Sequence, residues 1–102
     1  MIFSRTTMFE LKFHPAVKKD LKKIGKSVAR EIKDKHFRNI KENPSTSENL
    51  SHMFKGLKSY HFKSGTVEYR IIHEIYECEN IVIVLLIGKR ENLYSKLKRR
   101  ID

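Results

Sequence analysis

Residues 57–77 read LKSYHFKSGTVEYRIIHEIYE. On either side of Ser64-Gly65 the side chains alternate in character with a period of two, the pattern of two β-strands joined by a tight turn. A second turn around Cys78 to Asn80 leads into IVIVLLI (81–87), a continuous apolar run. Two consecutive hairpins predict an antiparallel three-stranded meander, and the last strand is expected inside the sheet with both faces covered. The tail KRENLYSKLKRRI (89–101) predicts a short basic helix with Leu93, Leu97 and Ile101 facing inward.

Upstream, MFELKFH (8–14) alternates Phe9, Leu11 and Phe13 with Glu10 and Lys12, which predicts a strand with one buried face. Pro15 suits the first turn of a helix, where its missing N–H has no partner to lose. Val17, Leu21 and Ile24 follow at helical spacing, and Gly25 can end that helix. Ser27 is expected to cap a second helix with the stripe Val28, Ile32, His36 and Ile40, stopped by Pro44. NPSTSENLSH (43–52) reads as a loop. The predicted fold class is therefore α+β: an N-terminal strand, a helical hairpin, an antiparallel three-stranded meander joining that strand in one sheet, and a short C-terminal helix. They are expected to form one domain over residues 8–102, with residues 1–7 as an extension.

The chain has 102 residues, 22 Lys and Arg against 12 Asp and Glu, and a formal charge of +10. With 39% hydrophobic residues it can still fold, so the charge points to a partner rich in phosphate or carboxylate. One cysteine, Cys78, permits no internal disulfide, and its neighbours Glu77 and Glu79 disfavour a thiolate. The longest apolar run is too short to span a bilayer. No signal peptide is visible, and a cytoplasmic location is expected.

Five dispersed histidines without cysteine pairs argue against a zinc site, and no cofactor is expected. The four glycines form no phosphate-binding loop, and no G-x-S-x-G turn is present. The strand residues are more informative. Parity places Tyr60 and Phe62 on one side, with Ser59, His61 and Lys63 on the other; it likewise separates Tyr69, Ile71, His73 and Ile75 from Arg70, Ile72, Glu74 and Tyr76. If the more apolar side packs on the helices, His73 belongs to the core and His61, Lys63 and Arg70 share an open face. A plain structural role for Arg70 would be a cross-strand pair with Glu74 or another carboxylate. Lys18, Lys19, Lys22 and Lys23 line the outer side of the first helix, either as a solvated surface or as a surface that follows phosphates.

LKSYHFKSGTVEYRIIHEIYECENIVIVLLIGKRENLY, preceded by FELKFHPAVKKDLKKI, resembles the RelE/ParE superfamily of bacterial and archaeal toxins from toxin–antitoxin modules. The resemblance extends from Met8 over nearly the whole chain. It implies a RelE-like fold and, in the RelE branch, a ribosome-dependent endoribonuclease that cuts mRNA in the A site without a metal and so inhibits translation. By resemblance Arg70 matches a phosphate-stabilising arginine, and Arg90 an arginine that stabilises the transition state or protonates the leaving group. Tyr94 matches a tyrosine that stacks on or orients a base, at shorter spacing from Arg90 than usual. Lys63 stands where a catalytic lysine is found, and His61 replaces a second lysine; which of the two is the base stays open, since imidazoles as a class titrate near neutrality.

RNA contacts are expected from Lys18, Lys19, Lys22, Lys23, Lys89, Lys96 and Lys98. The implied partners are a cognate antitoxin, the ribosome and mRNA, with the toxin alone a monomer and the closing helix mobile. Two alternatives remain: a ParE-like inhibitor of DNA gyrase without nuclease activity, and a non-catalytic basic RNA-binding protein.

Overall fold

The computed structural model describes residues 8–50 and 52–102. The predicted extension, residues 1–7, lies outside them. The order of elements is β1 (Glu10–Phe13), α1 (Val17–Ile24), α2 (Lys26–Glu31), a π-helical turn (Ile32–His36), α3 (Phe37–Glu42), β2 (Glu48–Asn49), β3 (Leu57–Ser64), β4 (Val67–Tyr76), β5 (Ile81–Lys89) and α4 (Leu93–Ile101). The strands form one sheet in the order β1-β5-β4-β3-β2, with β1 parallel to β5 and the other pairs antiparallel. The α+β class and the meander are as the sequence predicts.

Four details differ from expectation. The loop 43–52 contributes β2, whose two residues pair with Ser59 and Lys58 and cover the edge of β3. Gly25, not Ser27, precedes the second helix, and Ser27 lies inside it without a capping hydrogen bond. That helix is continuous across α2 and α3 only through the π-helical turn, which inserts one residue into the apolar stripe. Ile32, His36, Phe37 and Ile40 consequently all point inward. Phe13, expected on a buried face, is half exposed and packs against Phe37 with ring centroids 5.2 Å apart and planes tilted by 49°.

Both faces of the sheet carry an apolar layer. Val17, Ile32, Phe37 and Ile40 of the helical hairpin pack on Phe62, Tyr69, Ile71, Val82, Val84 and Ile87. On the other face Phe54 and, from α4, Leu93 and Leu97 pack on Leu57, Ile72 and Leu86. The face predicted as open is thus half covered, and Ile101 stays outside it. A β-bulge makes the two layers compatible, because Ile72 pairs with Leu86 and His73 with Val84, leaving Leu85 unopposed. The extra residue shifts the parity of β5 so that Val84 and Ile87, three positions apart, serve the same layer, with Leu86 in the other.

His36 and His73 are both buried on the hairpin side. His36 stacks on Phe62 at 3.9 Å and lies 2.7 Å from the Tyr60 hydroxyl and 3.0 Å from Glu31. The hydrogen bond from His36 holds the Glu31 carboxyl below its usual pKa. His73, as predicted, is part of the core. Its Nδ1–H donates to the Ile71 carbonyl at 3.1 Å. Burial pushes its pKa down from 6.5; Lys58 adds to this, and the carbonyls of Ile71 and Pro44 oppose it.

A depressed histidine pKa means that the unfolded chain binds the proton first as the pH falls. The stabilisation is fully present above pH 6.5 and is lost on acidification through the folded-state value. The urea midpoint is expected to fall on going from pH 7.5 to 5.5, with a clearly shallower fall in His73→Leu. Equal slopes in the two proteins would show that His73 is not the group responsible.

Candidate active site

Two strands and one helix assemble the predicted residues. His61 of β3 and Arg70 of β4 are direct cross-strand partners on the face covered by α4, which places their Cβ atoms roughly 5 Å apart. Lys63, exposed, faces Glu68 in the next pair along the ladder on the same side. Arg70 does not pair with Glu74, which bonds instead to the Tyr76 hydroxyl at 2.8 Å.

α4 brings the aromatic. Asn92 adopts a left-handed conformation (φ 58°) that turns the chain sharply from β5 into the helix. Gly88, opposite Arg70, leaves the room that Leu93 fills, since a Cβ there would sit 3.3 Å from Leu93 Cδ1. One residue later Tyr94 returns over the sheet, where Arg70 Nη1 donates to its hydroxyl at 3.4 Å and its ring stacks on Phe54 at 5.8 Å. Arg70 Nε is enclosed and has no protein partner among the described residues.

Arg90 stands at the rim. Its backbone N–H donates to the Glu68 carbonyl at 3.1 Å, and its guanidinium lies 3.5 Å from the Glu68 carboxylate while remaining two-thirds exposed. Glu68 therefore lies between Lys63 and Arg90 and moderates the positive charge there. On the opposite flank His61 Nε2 is 3.4 Å from Glu48 of β2, an ion-pair distance without the alignment of a hydrogen bond. Chemically the group offers one guanidinium fork next to an imidazole, two further cations at the rim and an aromatic ring exposed on the surface.

The predicted RNA-contacting lysines do not form one patch. Lys23, Lys89 and Lys96 border a cleft of about 650 Å³ between α1, β5 and α4, together with Arg99 and Arg100. Lys18 borders a different, apolar groove beside Phe13 and Phe37. Lys19, Lys22 and Lys98 are exposed on other surfaces of their helices. No group of three or more metal-ligating side chains occurs among the described residues.

A sequence model for the "ParE-like toxin of type II bacterial toxin-antitoxin system" matches residues 11–98. The chain belongs to this family. No curated protein matches the sequence. Solved structures similar to the ParE-like toxin include the RelBE2 toxin–antitoxin complex of Mycobacterium tuberculosis, at 20% identity and a TM-score of 0.71, over 84% of this chain and 95% of that one. A doubly substituted Escherichia coli RelE toxin in the free state is 24% identical with a TM-score of 0.70, over 94% and 100%. The archaeal RelE–RelB complex from Pyrococcus horikoshii is 19% identical with a TM-score of 0.56, over 83% and 98%. At these identities the likeness is one of fold.

Several side chains around the toxin's site are not apparent from the sequence pattern. Glu48 is in a segment that reads as loop, so nothing marks it as a neighbour of His61. Glu68 has a weak signal, since it shares parity with Arg70 two positions on. Asp20, amid Lys18, Lys19, Lys22 and Lys23, is buried and accepts two hydrogen bonds from Arg100 of α4 at 2.7 and 3.0 Å and one from the Ile87 N–H at 3.0 Å. Arg100 also donates to the Leu85 carbonyl at 3.0 Å. This clamp fastens the end of α4, the helix that carries Tyr94 and that the sequence marks as weakly held. No helix among the described residues is long and apolar enough to cross a membrane.

Proposed function

We propose that this ParE-like toxin is an endoribonuclease that cleaves mRNA in the ribosomal A site and is neutralised by a cognate antitoxin. The observation that carries the reading is the adjacency of His61 and Arg70 with Tyr94 bonded to the latter, on a face flanked by Lys63 and Arg90. A gyrase-binding surface has no need of an imidazole beside a guanidinium whose Nε has no partner.

Cleavage proceeds by attack of the ribose 2′-oxygen on the adjacent phosphorus. His61 or Lys63 accepts the 2′-OH proton, the new P–O2′ bond forms, and the P–O5′ bond breaks. The products are a 2′,3′-cyclic phosphate and a 5′-hydroxyl, the latter protonated by the acid on the leaving side, for which Arg90 and the protonated base are the available groups. Arg70 binds the non-bridging oxygens, where charge accumulates in the transition state. Tyr94 holds the guanidinium in place and presents its ring to a base, and this set of side chains supplies the proton transfers and charge neutralisation without calling on a metal.

The toxin is proposed to act as a monomer in the cytoplasm, where ribosomes hold its substrate. By analogy with the RelE–RelB complexes, its antitoxin is proposed to be a small protein that covers the basic surface. Primer extension on a defined mRNA held in purified ribosomes, beside naked mRNA and a gyrase supercoiling assay, tests the reading. Cuts confined to the A-site codon are expected. Gyrase inhibition by the folded protein with no cuts overturns the reading in favour of gyrase poisoning.

A further inference from the structure

Beside His61 the face continues into a small cleft of about 290 Å³ at the sheet edge, lined by Thr46, Ser47, Glu48, Ser59, Tyr60 and His61. Three enclosed polar atoms without a hydrogen-bond partner belong to this lining: Ser47 Oγ, Ser59 Oγ and His61 Nε2. Ser59 is only 1% exposed. A buried polar group without a hydrogen bond is costly unless something else bonds to it, and here two such hydroxyls lie beside an imidazole nitrogen that only approaches Glu48, at 3.4 Å.

The wall opposite β3 is held in place before any ligand arrives. Lys58 Nζ donates to the carbonyls of Ser45 and Ser47 and to Asn49 Oδ1, at 3.3, 3.2 and 2.9 Å. Thr46 Oγ1 donates to the Asn43 carbonyl at 2.9 Å. Glu48 and Ser59 face one another across the β2–β3 ladder.

The charge of the lining narrows the ligand. In a chain of net charge +10 this cleft is lined by no lysine or arginine and by one carboxylate, and the nearby Lys58 ammonium is engaged by the carbonyls of Ser45 and Ser47 and by Asn49, so the lining favours a neutral group that donates hydrogen bonds. It adjoins Arg70, the cross-strand neighbour of the lining residue His61, so a nucleotide whose phosphate sits on Arg70 has its base next to the cleft. We infer that the cleft is a nucleobase subsite: it takes a base bearing an exocyclic amino group, which donates to Glu48 while the Ser47 and Ser59 hydroxyls bond to the remaining polar atoms of its edge. This rests on the phosphate-binding role proposed for Arg70. Uracil carries a carbonyl oxygen where cytosine carries its amino group, and that oxygen would face the Glu48 carboxylate unfavourably, whereas carboxylate and cytosine N4 are a recurrent pairing.

The test uses cytidine and uridine 3′-monophosphates titrated into the whole protein, followed by the backbone amide signals of Ser47, Ser59 and His61, with A-site cleavage measured separately on codons differing only in C or U. Wild type is expected to bind the cytidine nucleotide roughly fivefold or more tightly than the uridine one, with shifts at those three amides. Ser59→Ala and Glu48→Gln bring the ratio close to one; Glu48 is three-quarters exposed, so its variant does not depend on a repacked core. Equal binding of the two nucleotides, shifts confined to other residues, or a ratio unchanged in both variants overturns the subsite. Base-selective binding without cleavage sustains the subsite and overturns the nuclease reading; cleavage with no base preference in wild type does the reverse.

Discussion

Arg70→Ala is expected to lower single-turnover cleavage of ribosome-held mRNA by on the order of 10²–10³-fold while leaving the fold intact. Both halves of that expectation come from the surroundings of Arg70. It forms no ion pair among the described residues, and its guanidinium donates to the Tyr94 hydroxyl at 3.4 Å. Tyr94 is 47% exposed, so after truncation its hydroxyl turns to water. The loss in unfolding free energy should stay within about 1 kcal/mol, as for other substitutions that leave no buried partner stranded.

On the proposed mechanism cleavage depends on the same guanidinium far more strongly than stability does, because a fork placed at two phosphoryl oxygens would act where negative charge grows. Arg70→Lys is expected to recover only a small part of the rate, since an ammonium is a point charge that cannot reproduce the bidentate geometry. Cleavage within about threefold of wild type by folded Arg70→Ala, judged against that order-of-magnitude expectation, would remove Arg70 from the mechanism.

The legible parts of this fold are those where one physical signal decides the outcome. In VEYRIIHEIY alternation is strict, and β4 keeps its parity throughout, so His73 goes to the core and Arg70 to the opposite face. IVIVLLI has no alternation to read. Its interior position between β1 and β4 is predictable, whereas the bulge at Leu85 is invisible because every residue there is apolar on either face. The π-helical turn is hidden for a related reason: Val28, Ile32, His36 and Ile40 form an acceptable α-helical stripe, and only packing shows that Phe37 also points inward. Around the site, cations could be sorted by parity within a strand. Carboxylates from elsewhere in the chain could not, so no pattern in the sequence marks Glu48 or Asp20.

Asp20→Ala is expected to cost about 3 kcal/mol of unfolding free energy, the lower end for breaking a buried ion pair, because Arg100 retains 17% exposure of its side chain. For a domain of this size the melting temperature would fall by roughly 12–24 °C. β1 ends at Phe13, opposite Val84, so beyond that point no strand among the described residues runs along this side of β5. Asp20 and Arg100 fill the gap, one accepting from the Ile87 N–H and the other donating to the Leu85 carbonyl. Removal of the carboxylate strands both a buried N–H and a mostly buried guanidinium. Asp20→Ala with Arg100→Ala should therefore cost less than the sum of the two single changes, the sign of a coupled pair. Strict additivity in urea unfolding, or a loss below about 1 kcal/mol, would reduce the clamp to an ordinary surface ion pair. The consequence reaches the site through α4. With its C-terminal end released, that helix is held mainly by Leu93 and Leu97 and by the stacking of Tyr94 on Phe54, and the Tyr94 hydroxyl should spend less time on Arg70, so cleavage should fall in Asp20→Ala even at temperatures where the domain remains folded.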